Sequence, residues 1–198
     1  RLRSPVLHAR SLLFRRGRYL LVLDALESAG THHYDLLWHF DPIIDVRLEA
    51  GGIALAASSA PPVLRVCTVG TAPISARVAR GETNPIQGWH SPSYGVREPA
   101  PTLVYEAQAA GPVLLASILA AAERPGDGPE RGVEIESGLA PWGGDVALRV
   151  SGPGWEERVL MPNPCRLLSG QARHRPHRLL VDGRETLVPP LAGAHRRR

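Results

Sequence analysis

The sequence contains no lysine: all 23 of its basic residues are arginine. Beside the many Ala, Gly and Pro residues, this reads as a bias of GC-rich coding rather than a functional choice. The formal net charge of +4 falls to about +1 once Arg196, Arg197 and Arg198 are set aside, so basicity does not argue for a nucleic-acid partner. Two cysteines, Cys67 and Cys165, are too few for a disulfide framework, and neither belongs to a CxxC or a Cys/His cluster. No apolar run approaches the roughly 18 residues that a membrane-spanning helix needs, so no membrane partner is expected. Nucleotide-binding, zinc-protease, serine-hydrolase and EF-hand signatures are also missing. The chain opens on Arg1, shows no leader pattern in the given residues, and is expected to begin inside a longer protein.

What remains is punctuated apolar sequence. Short hydrophobic segments separated by Gly, Pro and Asp mark an antiparallel β protein. Candidate strands are Val6 to Phe14, Tyr19 to Asp24, His32 to Phe40, Ile43 to Leu48, Ile53 to Ala57, Val63 to Val69, Ile74 to Ala79, Leu103 to Ala109, Val133 to Ser137, Val146 to Ser151, Trp155 to Met161 and Arg178 to Leu187. Asp182-Gly183 predicts a tight hairpin turn inside the last, and Gly51-Gly52 a similar turn. Strands must bury a face against another sheet, so an all-β, antiparallel multi-stranded sandwich of stacked sheets is expected over residues 1–192. Residues 193–198 read as a disordered Arg-rich tail. Val113 to Arg124 suits a helix or a strand equally well by composition.

The segment His33-Tyr34-Asp35-Leu36-Leu37-Trp38-His39-Phe40 separates at a two-residue period. Tyr34, Leu36, Trp38 and Phe40 form an apolar face, opposite His33, Asp35, Leu37 and His39. His33 and His39 stand roughly 20 Å apart at about 3.3 Å per residue, so they do not share an ion. His33 with Asp35 is feasible at about 7 Å, but a third ligand would have to come from an unidentified strand, and no metal site is assigned. Glu134 and Glu136 read as a solvated face. His174, His177 and the arginines around them read as a solvated approach to the final hairpin.

Thr83 to Thr102 carries four prolines and reads as a loop of about 20 residues, a length that is usually functional or disordered. Within it Trp89, His90 and Tyr94 are the candidate substrate-binding residues. Their rings can stack on the apolar face of a sugar, with His and Ser adding polar reach, or they can plug one end of the sandwich and pin the loop. His90 and Tyr94, four apart in an irregular loop, predict no acid–base geometry, and no catalytic residue is assigned. Arg124 to Arg131 reads as a surface turn.

The run Arg10-Ser-Leu-Leu-Phe14, Gly17-Arg18-Tyr19, Val22-Leu23-Asp24 and His33 to Phe40, followed by Gly88-Trp89-x-Ser91-x-x-Tyr94-Gly95 and Pro99-Ala100-Pro101, resembles the β-sheet domain of heparinase II/III-like polysaccharide lyases. The resemblance covers roughly residues 8 to 120. It implies a bacterial enzyme with an N-terminal α/α toroid, which cleaves acidic polysaccharides such as glycosaminoglycans or alginate by β-elimination. It also tips Val113 to Leu119 toward strand. In that family catalysis is associated with Tyr, His and Asn or Glu residues largely of the toroid and with a His-x-His run, near which some members hold zinc. This chain has no His-x-His, so the resemblance implies that the domain lacks the N-terminal strands that bear it; those ligands are expected upstream, the chain alone is expected to be inactive, and no cofactor is assigned to it. A periplasmic or secreted location fits such a lyase. The rival reading is a stand-alone, non-catalytic carbohydrate-binding or structural sandwich; a nucleic-acid binder ranks below both.

Overall fold

A computed structural model describes residues 4–59, 61–122, 132–137, 145–163, 177–181 and 183–188. Its described regular structure is β throughout apart from one short 3-10 turn, Ala50–Gly52, as the punctuated sequence predicts.

Three sheets stack. The middle one has six strands in the order β1 (Val6–Arg15), β2 (Tyr19–Ser28), β13 (Val113–Ala122), β6 (Val63–Gly70), β5 (Ala54–Ala57) and β4 (Asp45–Leu48). On one face lies a three-stranded sheet of β3 (Thr31–His39), β12 (Pro101–Ala110) and β7 (Ile74–Arg80). Against the other face packs a five-stranded sheet of β14 (Val133–Ser137), β15 (Asp145–Gly152), β16 (Trp155–Pro162), β17 (His177–Val181) and β18 (Arg184–Val188). All described pairings are antiparallel.

The middle sheet explains the sequence of its strands. Leu21, Leu23, Leu114, Ala116 and Ile118 face one core with Val146, Leu148, Val150 and Val159. Val113, Leu115 and Val66 face the other with Tyr34, Leu36, Leu103 and Tyr105. A strand buried on both faces reads as an unbroken apolar run. That is why β13, with the alanines and leucines of a helix, forms a strand: the slot between β2 and β6 outweighs propensity.

Polar groups inside are paired. Thr68 Oγ1 and Ser117 Oγ lie 2.9 Å apart. Tyr105 donates from its hydroxyl to the carbonyls of Gly52 at 2.8 Å and Val66 at 3.2 Å. Burial pushes both its phenol and the Cys67 thiol above their ordinary values. Glu157 of β16 is fully buried and accepts from Arg15 Nε at 3.2 Å and Nη2 at 2.9 Å and from the Tyr19 hydroxyl at 2.8 Å. Arg18 also pairs with it and lies 5.0 Å from the Trp155 ring, which stacks on Tyr19. This cluster joins the β1–β2 turn to the five-stranded sheet.

The Gly51-Gly52 turn forms with φ of +74° and +75°; Val181 pairs with Arg184 and Gly183 has a φ of +72°, while Asp182 lies outside the described residues. The Pro-rich segment, however, is not an irregular loop. It holds β8 (Glu82–Thr83), β9 (Ile86–Gln87), β10 (Trp89–Ser93) and β11 (Val96–Pro99), paired as two small ribbons. Strands of two to five residues are too short for a periodic signal, and a two-stranded ribbon has free edges where proline's missing N–H costs nothing. Cys165, the cluster from Arg173 to Arg175, the turn 124–131 and the tail 193–198 lie outside the described residues.

Candidate functional site

The β10–β11 ribbon is built on Gly88. Its φ is +77°, a Cβ there would meet Ala79 O at 2.6 Å and Arg80 Cα at 2.6 Å, and its carbonyl accepts from Gly81 N at 2.7 Å and Ala100 N at 2.9 Å. Only glycine fits this approach to β7. Beside it Trp89 donates its indole N–H to Glu82 O at 2.7 Å, and the Arg97 guanidinium covers its ring at 4.4 Å. Trp89 is therefore the pin that fixes the ribbon's base. His90 pairs with Glu98 at 3.2 Å on the ribbon's exposed flank. Ser91 Oγ donates to Ser93 O and Val96 O at 3.1 and 2.9 Å, closing the tip. Tyr94 stands in that tip with its side chain fully in solvent.

The three sequence candidates thus share one ribbon but not one point. Trp89 sits opposite Pro99 at its base, whereas Tyr94 follows Ser93, which pairs with Val96 at the far end. The ribbon presents His90 and Tyr94 outward and keeps Trp89 for anchoring.

A second polar region lies between β1 and β3, each an edge strand among the described residues. Asp24, 1% exposed, receives His8 Nε2 at 2.7 Å and Arg10 Nε and Nη2 at 2.6 and 3.0 Å. These residues, with His32, Tyr34 and a wall of Val6, Leu26, Leu36 and Leu115, line a cavity of about 300 Å³. His32 Nε2 is buried there without a hydrogen-bond partner among the described residues. A buried carboxylate holding an imidazole at a cavity mouth is an arrangement able to fix a proton donor or acceptor. Sequence reasoning missed it, although Arg10 and Asp24 face each other across the hairpin that Gly17 turns.

On the outer face of the three-stranded sheet, His33 Nε2 lies 2.9 Å from Asp35 Oδ1. Asp35 is registered directly opposite Glu106 of β12, which is the partner strand the sequence could not name. Arg77 of β7 donates to Glu106 at 3.1 Å and to both oxygens of Glu82 at 3.0 and 2.9 Å. The bond to Glu106 is the main reason its guanidinium is held above its usual value. His39 is separate from this group, with Nδ1 3.0 Å from Thr102 Oγ1. Far off on β14, Glu136 meets Arg149 at 2.9 Å and Arg158 at 2.7 Å, which holds its carboxyl below the usual range.

A stacked, all-β architecture with an outstanding aromatic ribbon and a polar cavity defines the class of protein. Residues 1–131 match the family model described as heparinase II/III-like, C-terminal, and the chain belongs to that family. Among solved structures, a mutant of the heparan sulfate lyase HepC from Pedobacter heparinus aligns at a TM-score of 0.65 and 18% identity over 78% of this chain and 24% of that one. A heparinase III gene product aligns at 0.65 and 12% over 80% and 24%. A further heparinase III aligns at 0.63 and 10% over 79% and 23%. At such identities the likeness is one of fold, and this chain spans about a quarter of the length of those proteins. No curated protein sequence matched.

Proposed function

We propose that this chain is the C-terminal β domain of a lyase that cleaves acidic, uronic-acid polysaccharides by β-elimination, working beside an N-terminal α/α toroid in the periplasm or outside the cell. The family match over residues 1–131 carries the reading. In such a reaction a base takes the proton at C5 of the uronate, its electrons form the C4–C5 double bond, the C4–O bond breaks, and an acid protonates the departing oxygen. The chemistry requires a neutralised carboxylate, a base and a proton donor in one place. The His-x-His run that the family associates with catalysis and zinc is not in this sequence, so no step is assigned to a metal. This chain's part is binding. Tyr94 and His90 offer a stacking ring and a polar arm to the polysaccharide, while Trp89 holds the ribbon in position.

The test is to express the complete reading frame containing this chain and follow the ultraviolet absorbance of the unsaturated uronate on heparan sulfate, hyaluronan and alginate. The chain alone is the control. Turnover by the complete product with none by the chain is expected; a complete product inert on every acidic polysaccharide would refute the lyase. Retention of the chain on an immobilised acidic polysaccharide, weakened by Tyr94→Ala, is expected from the ribbon. Retention unchanged by that substitution would remove Tyr94 from the binding surface.

A further inference from the structure

We propose that His33, Asp35 and Glu106 form a binding site for a divalent transition-metal ion on the outer face of β3 and β12. The inference goes beyond the lyase reading and rests on different residues.

The pattern is a product of register. Residues 33 and 35 are two apart on β3 and so share a face, and Glu106 is the residue of β12 directly opposite Asp35. One imidazole nitrogen and one oxygen from each carboxylate all lie within 4.8 Å of one another. Around an ion with bonds of about 2.0–2.2 Å, ligand atoms stand roughly 3–4 Å apart. Small side-chain rotations bring the three donors to that spacing. The His33 and Asp35 side chains are 58% and 48% exposed and have room to make them. The solvent side is open for water to complete the coordination.

Electrostatics favours a cation. Two carboxylates directly opposite on neighbouring strands repel each other. Arg77 does not relieve Asp35, because its described bonds go to Glu106 and Glu82. Within this group, Asp35, Glu106 and Glu82 carry three negative charges against the single positive charge of Arg77, beside the His33 imidazole. A divalent ion balances them. The donor set selects among ions: an imidazole with carboxylates suits Zn²⁺ or Mn²⁺, whereas Ca²⁺ takes six to eight oxygens. Such an ion would cross-link β3, which pairs with β12 alone among the described strands, to the centre of its sheet.

The experiment is a titration of the full chain with ZnCl₂ and with MnCl₂, followed by calorimetry and by line broadening of backbone amides under Mn²⁺, with CaCl₂ for comparison. One ion per chain is expected, with broadening centred on residues 33–35 and 106 and much weaker binding of Ca²⁺. His33→Ala, Asp35→Asn and Glu106→Gln should each weaken binding by at least about tenfold, while Glu136→Gln leaves it unchanged. Circular dichroism of the metal-free variants checks that each is folded. Absence of Zn²⁺ and Mn²⁺ binding, or binding that survives all three substitutions, would overturn the site. Neither outcome bears on lyase activity, so the two readings fail separately.

Discussion

The cluster around Glu157 makes a directional prediction. Its carboxylate is fully buried, whereas the side chains of its partners Arg15 and Arg18 are 36% and 40% exposed. Glu157→Gln keeps the volume and one acceptor oxygen for Tyr19, and the two guanidiniums can turn to water. The loss is then that of charge-assisted hydrogen bonds partly replaced by solvent, about 1–2 kcal/mol. Replacing both arginines by alanine leaves the acid buried with no cation beside it, which costs about 3–5 kcal/mol. It also removes the Arg18 contact with Trp155, about 0.5–1 kcal/mol at such a half-exposed site. At roughly 2–4 °C per kcal/mol for a chain of this size, the double variant should melt about 7–24 °C lower and Glu157→Gln only about 2–8 °C lower. Urea unfolding at constant m-value gives the comparison directly. If Glu157→Gln proved as costly as the double arginine variant, the carboxylate would not be the group whose burial sets the energy, and the argument would fail.

Three further outcomes are expected. Thr68→Val and Ser117→Ala should each cost about 1–2 kcal/mol because each strands a buried hydroxyl, yet the double variant should cost less than their sum in a urea-unfolding cycle. In a Cys165→Ser background, Cys67 should resist thiol reagents at pH 8 while the protein is folded and react at once in denaturant, since burial raises its thiol; fast native labelling would contradict this. Glu136 has its folded pKa lowered by Arg149 and Arg158, so its contribution to stability is present above the ordinary carboxylate pKa of about 4.3 and disappears as pH falls through the lowered value. An NMR titration should place its midpoint below that of exposed glutamates, and Glu136→Gln should flatten the acid limb of the stability curve slightly.

Local alternation was readable where a strand has one dry face: Tyr34, Leu36 and Trp38 turn inward from His33, Asp35 and His39 as their spacing implies. It was silent for β13, whose two faces are both dry, because periodicity vanishes when neither side is wet. The ribbon of Trp89 and Tyr94 escaped for a different reason. Its strands are set by glycine geometry at Gly88 and Gly95 and by one indole hydrogen bond, none of which has a period. Glu106 was the hardest residue to find. It lies 71 positions beyond Asp35, and only the pairing of β3 with β12 makes them neighbours. A chain read in order gives faces; partners across a ladder belong to topology.

The middle sheet has a consequence for how the molecule breathes. The amides of β2, β13 and β6 are bonded on both edges and roofed by side chains from the layers above and below. Exposing them to solvent requires parting both outer layers, so their hydrogen exchange should follow global unfolding. β1 and β3, each paired along one side among the described strands, should exchange through much smaller openings. The His8–Asp24 cavity lies between these two strands, with the buried Asp24 on β2. One wall of the cavity is thus slow to open and the other quick, leaving a ligand there a yielding rim over a fixed floor.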